Sequence, residues 1–270
     1  MPMASAASQI ELALAHAVPF TLASFRVLGI FVFAPMLSSV IIPSKNKALL
    51  GVMLTAALYP SLDLHVTPAL AGRMDVFSAV PVILGETLIG FVIGVLATLP
   101  LAALEMSGVL MGQQMGLGLA RVYNPEADYD VDVLGQLLFY VGAGVFFGLG
   151  GLDIVIAGVI NSFERVPLGG ITIGQAPLET IVGVLSSGFE LAMQAAAPVT
   201  AIILLLIIVF GAVSKTMPQI NIMSVGFTVK IMAGVAMTAL ALYAVQTVVG
   251  EKVHDALAHA TNWVDALGNH

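Results

Sequence analysis

The chain has 270 residues, of which 59% are hydrophobic and 9% charged, whereas a soluble domain carries about 25% charged residues. With a mean hydropathy of +1.03, it cannot cover a water-facing surface, which excludes a soluble enzyme. Nine basic against 16 acidic residues give a net charge of −7, which excludes a general nucleic-acid binder with a basic face.

Six apolar stretches follow in order: Ala17–Ile42, Ala48–Leu62, Val76–Leu104, Val133–Phe163, Leu178–Val213 and Ile222–Val249. Breaks rich in Pro, Lys and Asp separate them, and no linker divides the chain into two domains, so 1–270 reads as a single domain. No basic n-region of a signal peptide precedes Arg26, so the first stretch is expected to stay in the mature protein. A bilayer core of about 30 Å takes about 20 helical residues. Ala48–Leu62 has 15 residues and is short, while Leu178–Val213 has 36 and contains Pro198, which is expected to kink or break a helix. Val133–Phe163 has 31 residues, interrupted by Gly148-Leu149-Gly150-Gly151. Half-length and broken helices survive at membrane depth only where protein or a wet cavity covers their backbone. This predicts an all-α membrane protein of helical hairpins packed into a larger assembly. The tail, 250–270, places Val253, Leu257, Ala260 and Val264 at helical spacing, an amphipathic surface cap.

Few chemical motifs are present. With no Cys, disulfides and thiolate metal sites are excluded. No Gly-Lys pair exists to build a phosphate-binding loop. His16, His65, His254, His259 and His270 form no H-E-x-x-H pattern. Gly116-x-Gly118 is followed by Arg121, so the dinucleotide fingerprint fails. Glu126, Asp128, Asp130 and Asp132 lack the Gly and Glu that a calcium loop needs and read as a solvated loop. No catalytic residue, cofactor or metal is expected.

Two features remain. Arg26, Glu86, Asp153, Glu190 and Lys230 lie within apolar stretches, where a charge at the bilayer centre costs about 2.5–3.5 kcal/mol on insertion scales. Glu86 and Glu190 are either ion carriers or structural partners of Arg26 and Lys230, across helices or subunits. The second feature is glycine at four-residue intervals: Gly108, Gly112 and Gly116, then Gly118, among Met106, Met111, Gln113, Gln114 and Met115. Such spacing suits a close helix contact. The amides, adaptable Met side chains and bare backbone equally suit a loop or broken helix that lines or plugs a passage.

At this stretch the chain resembles a known family. Gly112-Gln113-Gln114-Met115-Gly116-Leu117 followed by Asn124-Pro125 is similar to the central motif of the FliR family of type III export-gate membrane proteins (SctT-like). Other pieces agree in order. Arg26-Val27-Leu28, Ala34-Pro35 and Ile42-Pro43 come first, then Tyr59-Pro60-Ser61-Leu62, then Glu86 before Gly90 and Gly94. Ala197-Pro198-Val199 follows, and then Lys215-Thr216-Met217-Pro218-Gln219-Ile220-Asn221-Ile222, with Pro218, Gln219 and Asn221 as its distinctive residues. Lys215 stands where Arg is more usual, and Gly151-Leu152-Asp153 replaces a common Gly-His pair.

The resemblance implies FliP-like and FliQ-like units joined in one chain. It implies a non-enzymatic subunit of the flagellar protein-conducting gate, in the bacterial inner membrane at the basal body. The implied partners are FliP and FliQ homologues in a hetero-oligomeric core, FlhB and FlhA homologues, and unfolded substrates in transit. Gly108, Met111, Gly112, Gln113, Gln114, Met115, Gly116, Leu117 and Gly118 become the expected plug. Arg26, Glu86, Glu190 and Lys230 become the expected charge pairs or subunit contacts. The competing functions are the homologous subunit of a virulence injectisome and a proton-coupled small-solute transporter, for which no inverted repeat is visible.

Overall fold

The computed structural model describes residues 2–35, 42–62, 76–118, 132–170, 178–217 and 224–240. Within these, helix dominates and no strand element occurs. The helices are α1 (Pro2–Phe33), α2 (Ser44–Leu58), a 3₁₀ turn (Tyr59–Ser61), α3 (Val76–Met115), α4 (Val133–Gly148), α5 (Gly151–Arg165), α6 (Leu178–Thr216) and α7 (Ser224–Leu240). Three contain stretches long and apolar enough to cross a membrane: His16–Phe33, Ala79–Met115 and Leu185–Thr216.

The expected break at Gly148–Gly151 is present. Leu149 and Gly150 separate α4 from α5, with Gly150 left-handed at φ 72°, a conformation glycine adopts without steric cost. Asp132 begins α4, its carboxylate accepting from the Gly135 amide at 3.4 Å. This is an N-cap, so the last acid of the supposed loop run belongs to a helix start. Asp153 lies in the first turn of α5 and Arg165 in its last, each opposite in sign to the helix-dipole end it occupies.

Three expectations are corrected. The third apolar stretch does not end at Leu104, because α3 runs 40 residues to Met115. Gly108 to Met115 are therefore helical, and not a loop or broken helix. Of the kink or break expected at Pro198, the break does not occur, because the residue sits inside the 39 residues of α6 without ending it. A proline removes one backbone hydrogen bond from the ladder, and the flanking apolar turns carry the helix on. The family-motif residues Pro218, Gln219 and Asn221, and the tail 250–270, lie outside the described residues.

The chain divides into two compact units, and α3 and α6 each run from one into the other. The first takes Met1–Thr98 and Gly150–Val184; the second takes Leu99–Leu149 and residues from Leu185. In the first, Ala23, Val27 and Ile30 of α1 and Ala34 just after it are buried, as are Ile89, Ile93 and Leu96 of α3 and Val155, Val159 and Phe163 of α5. These recur at three- and four-residue spacing, the stripe that places one helix face in a core. Glycine sets the α1–α3 approach: a Cβ on Gly90 would collide with the Arg26 carbonyl oxygen, and one on Gly29 with that of Thr87. The short helix α2 lies on α1, with Gly51 against Leu28 and Tyr59 edge-on to Phe20 at 5.4 Å. In the second unit, Ala103 of α3 packs with Leu191 and Ala192 of α6.

Candidate functional site

Two clusters stand out, one in each unit. In the first, Arg26 and Glu86 are buried, with 0% and 2% of their side chains exposed. Arg26 Nε lies 2.6 Å from Glu86 Oε2. Its Nη1 donates to the Ser162 carbonyl at 2.8 Å, and Nη1 and Nη2 both reach the Val166 carbonyl at 3.2 Å. The guanidinium carbon stands 4.4 Å from the centre of the Phe163 ring, within cation–π range. The second Glu86 oxygen accepts from the Gly169 amide at 2.8 Å.

The pair thus caps α5 from outside. Arg26 meets carbonyls at the negative end of that helix, and Glu86 binds the turn that follows. Among the described residues no buried side-chain polar atom lacks a hydrogen-bond partner. Both carboxylate oxygens of Glu86 are thus engaged. The other two charges are placed differently. Glu190 is exposed and accepts from Gln194, one turn along α6, at 3.0 Å. Lys230 is half-buried and has no ion-pair partner among the described residues. Within the chain, therefore, the structure joins Arg26 to Glu86 and does not join Glu190 to Lys230.

The second cluster is the end of α3. Gly108 faces α4, where an added Cβ would lie 2.6 Å from both Gly135 Cα and the Leu134 carbonyl oxygen. Gly112 faces Asp132, whose Oδ1 would be 2.9 Å from an added Cβ. Met111 and Met115 are buried. Gln113 and Gln114 are exposed, and the Gln114 amide donates to Thr200 Oγ1 of α6 at 3.2 Å. At Gly116 the helix stops with φ 89°. Leu117 and Gly118 complete the turn, which closes through the Leu117 amide on the Gly112 carbonyl at 3.0 Å. Gly108 and Gly112 thus make close contacts with α4 and its N-cap, and the helix ends at Gly116.

Sequence reasoning missed Ser162, Phe163, Val166 and Gly169 around the ion pair, and Asp132, Gly135, Thr200, Gly234 and Thr238 around the end of α3. Two of these sets carried a signal. Asp132 three residues before Gly135 fits an N-cap, and Gly234 with Thr238 repeats the small-residue spacing of packed membrane helices.

Gly108→Ala is expected to destabilise the protein by about 1–3 kcal/mol, the usual cost of overpacking. The methyl would meet backbone on α4, which cannot turn aside as a side chain does. Thermal unfolding of the complex purified in detergent with its co-expressed partners measures this. A variant with an unchanged midpoint would show that α3 and α4 do not approach so closely.

Long apolar helices, with the Arg26–Glu86 ion pair buried and fully hydrogen-bonded among them, define an all-α integral membrane protein. The model of the family described as bacterial export proteins, family 1, matches residues 17–256. The chain belongs to that family and is a bacterial export protein. It is similar to the flagellar biosynthetic protein FliR of Escherichia coli (strain K12), at 26% identity over 214 residues, 79% of this chain and 80% of that one. FliR of Buchnera aphidicola subsp. Acyrthosiphon pisum (strain APS) is 29% identical over 212 residues, 78% of this chain and 80% of the relative. The Yop proteins translocation protein T of Yersinia pestis is 27% identical over 214 residues, 77% and 81%.

Proposed function

We propose that this chain is a non-enzymatic subunit of the protein-conducting gate of a flagellar type III export apparatus in the bacterial inner membrane. In this reading it assembles with FliP-like and FliQ-like subunits, meets FlhB-like and FlhA-like partners, and passes unfolded substrates. The observation that carries the reading is the length and exposure of α6. Its apolar stretch runs 32 residues and is mostly exposed within the chain, about 48 Å at 1.5 Å per residue. A hydrocarbon core of about 30 Å covers little more than half of that. Leu204, Leu205, Ile207, Ile208 and Val209 are all exposed and point round the helix. An exposed apolar helix longer than the hydrocarbon core is suited to cover by helices of other subunits. Flagellar relatives at similar coverage support the flagellar setting, and the Yersinia relative keeps the injectisome as the second reading.

The buried pair supports a structural part for Glu86 over proton carriage, because both its oxygens are engaged. Expressed without partners, the chain is expected to aggregate or be degraded. Expressed from its own locus with an affinity tag, it is expected to bring FliP-like and FliQ-like proteins with it. A stable, monodisperse monomer in mild detergent that captures neither would overturn the proposal. Flagellar rod and hook genes beside its own, as against needle genes, decide between flagellum and injectisome.

A further inference from the structure

The helix α7 packs against the end of α3. A Cβ added to Gly234 of α7 would lie 2.5 Å from Met115 Cε, 2.6 Å from its Cγ and 2.7 Å from its Sδ. The thioether therefore lies flat on bare backbone. One turn along α7, Thr238 is buried. Its hydroxyl donates to the Gly234 carbonyl at 2.8 Å and stands 3.7 Å from Met111 Sδ. Gly234 and Thr238 thus form one small-residue face, and the two methionines, one turn apart on α3, fill it. With Gly108 and Gly112 against α4, and Gln114 on Thr200, the last two turns of α3 are held by three helices. The first residue with a backbone outside the helical region is Gly116.

We propose that Gly234 and Thr238 are positioning residues that seat the Met111–Met115 end of α3, so that any gate movement begins at Gly116 and leaves the seat in place. This rests on the reading of the α3 end as part of the gate closure. Met suits the seat because an unbranched thioether packs closely on a small-residue face. Gly suits it because any Cβ would take the space of the Met115 side chain. The expected plug is thereby divided: Gly108 to Met115 are its fixed mount, and Gly116 to Gly118 the turn that ends it.

The chain has no cysteine, so an engineered pair has no competing thiol within it. Met115 Cγ at 2.6 Å from the added Cβ puts the two Cβ positions within about 4 Å, inside disulfide range. The M115C/G234C chain is assembled in cells with its partners and oxidised with diamide, which takes two protons and two electrons from the thiol pair. The disulfide is expected to form nearly completely, with substrate export continuing at the rate of the reduced complex. No disulfide would overturn the seat. A disulfide that stops export, with recovery in dithiothreitol, would show that the seat itself moves and would overturn the fixed mount. Independently, Gly234→Val is expected to raise ion leak several-fold in an intact complex, and adding Met115→Ala is expected to return the leak toward the parent value. A Gly234→Val complex as tight as the parent would overturn the positioning role. The closure reading fails separately: a complex lacking Gln113 to Leu117 that is no leakier, while the disulfide forms in the undeleted M115C/G234C chain, rejects the plug and keeps the seat.

Discussion

Glu86→Ala is expected to cost about 3–5 kcal/mol, the range for removing one partner of a buried ion pair. The loss has two sources. Arg26 stays fully buried with its charge uncompensated, and the Gly169 amide loses its acceptor at 2.8 Å. Since domains are stable by only about 5–15 kcal/mol, the variant should accumulate poorly and assemble little. Glu86→Gln keeps an acceptor for Gly169 and should fall between. Replacing both members, Arg26→Met with Glu86→Leu, should recover much of the loss, because no buried charge is then stranded. Thermal unfolding and the amount of assembled complex across this cycle measure the coupling. If Glu86→Ala assembles fully and export loses its dependence on the proton gradient, Glu86 carries protons and the structural assignment is wrong.

Deleting Gln113 to Leu117 is expected to raise passive ion permeability strongly while the complex stays assembled. The deletion removes Met115 from its place on Gly234 and removes the Gly116 turn at φ 89°. The contacts of Gly108 with α4 and of Ala103 with α6 remain, so the rest of the unit keeps its packing. Gly116→Asp should instead jam export. An L residue in the left-handed region costs roughly 1 kcal/mol or more, and the carboxylate adds charge where the chain must turn. Ion leak and growth of cells expressing each variant, with complex integrity followed in parallel, separate the two effects. An assembled deletion complex as tight as the parent would reduce this stretch to a helix contact.

The glycine series shows how one pattern can carry two meanings. Spacing alone suits a close contact or a pliable passage equally. The structure assigns Gly108 to contact with α4 and Gly112 to contact with its N-cap Asp132, and leaves only Gly116 to Gly118 as a turn. Glycine permits a break but does not compel one. It costs only about 1 kcal/mol in a helix interior, and contact on both sides of α3 outweighs that. Pro198 follows the same rule, since one missing backbone bond in 39 residues is small beside the ladder that continues on either side.

Local chemistry by itself determined the membrane class, the helical content, the short α2 and the break at Gly148–Gly151, because hydropathy, helical period and glycine clusters act within a few residues. The family could also be read from ordered motifs spread along the chain. Only the tertiary structure decided which ionisable groups meet. Arg26, Glu86, Glu190 and Lys230 look alike in sequence, each a charge in an apolar stretch. The fold brings Arg26 to Glu86 across 60 residues and to Val166 across 140, and leaves Glu190 in solvent-accessible reach of its own helix. Hydrophobic burial is non-directional and can be read from composition. An ion pair or a glycine contact depends on distance and orientation between helices far apart in the chain, and no local pattern encodes those.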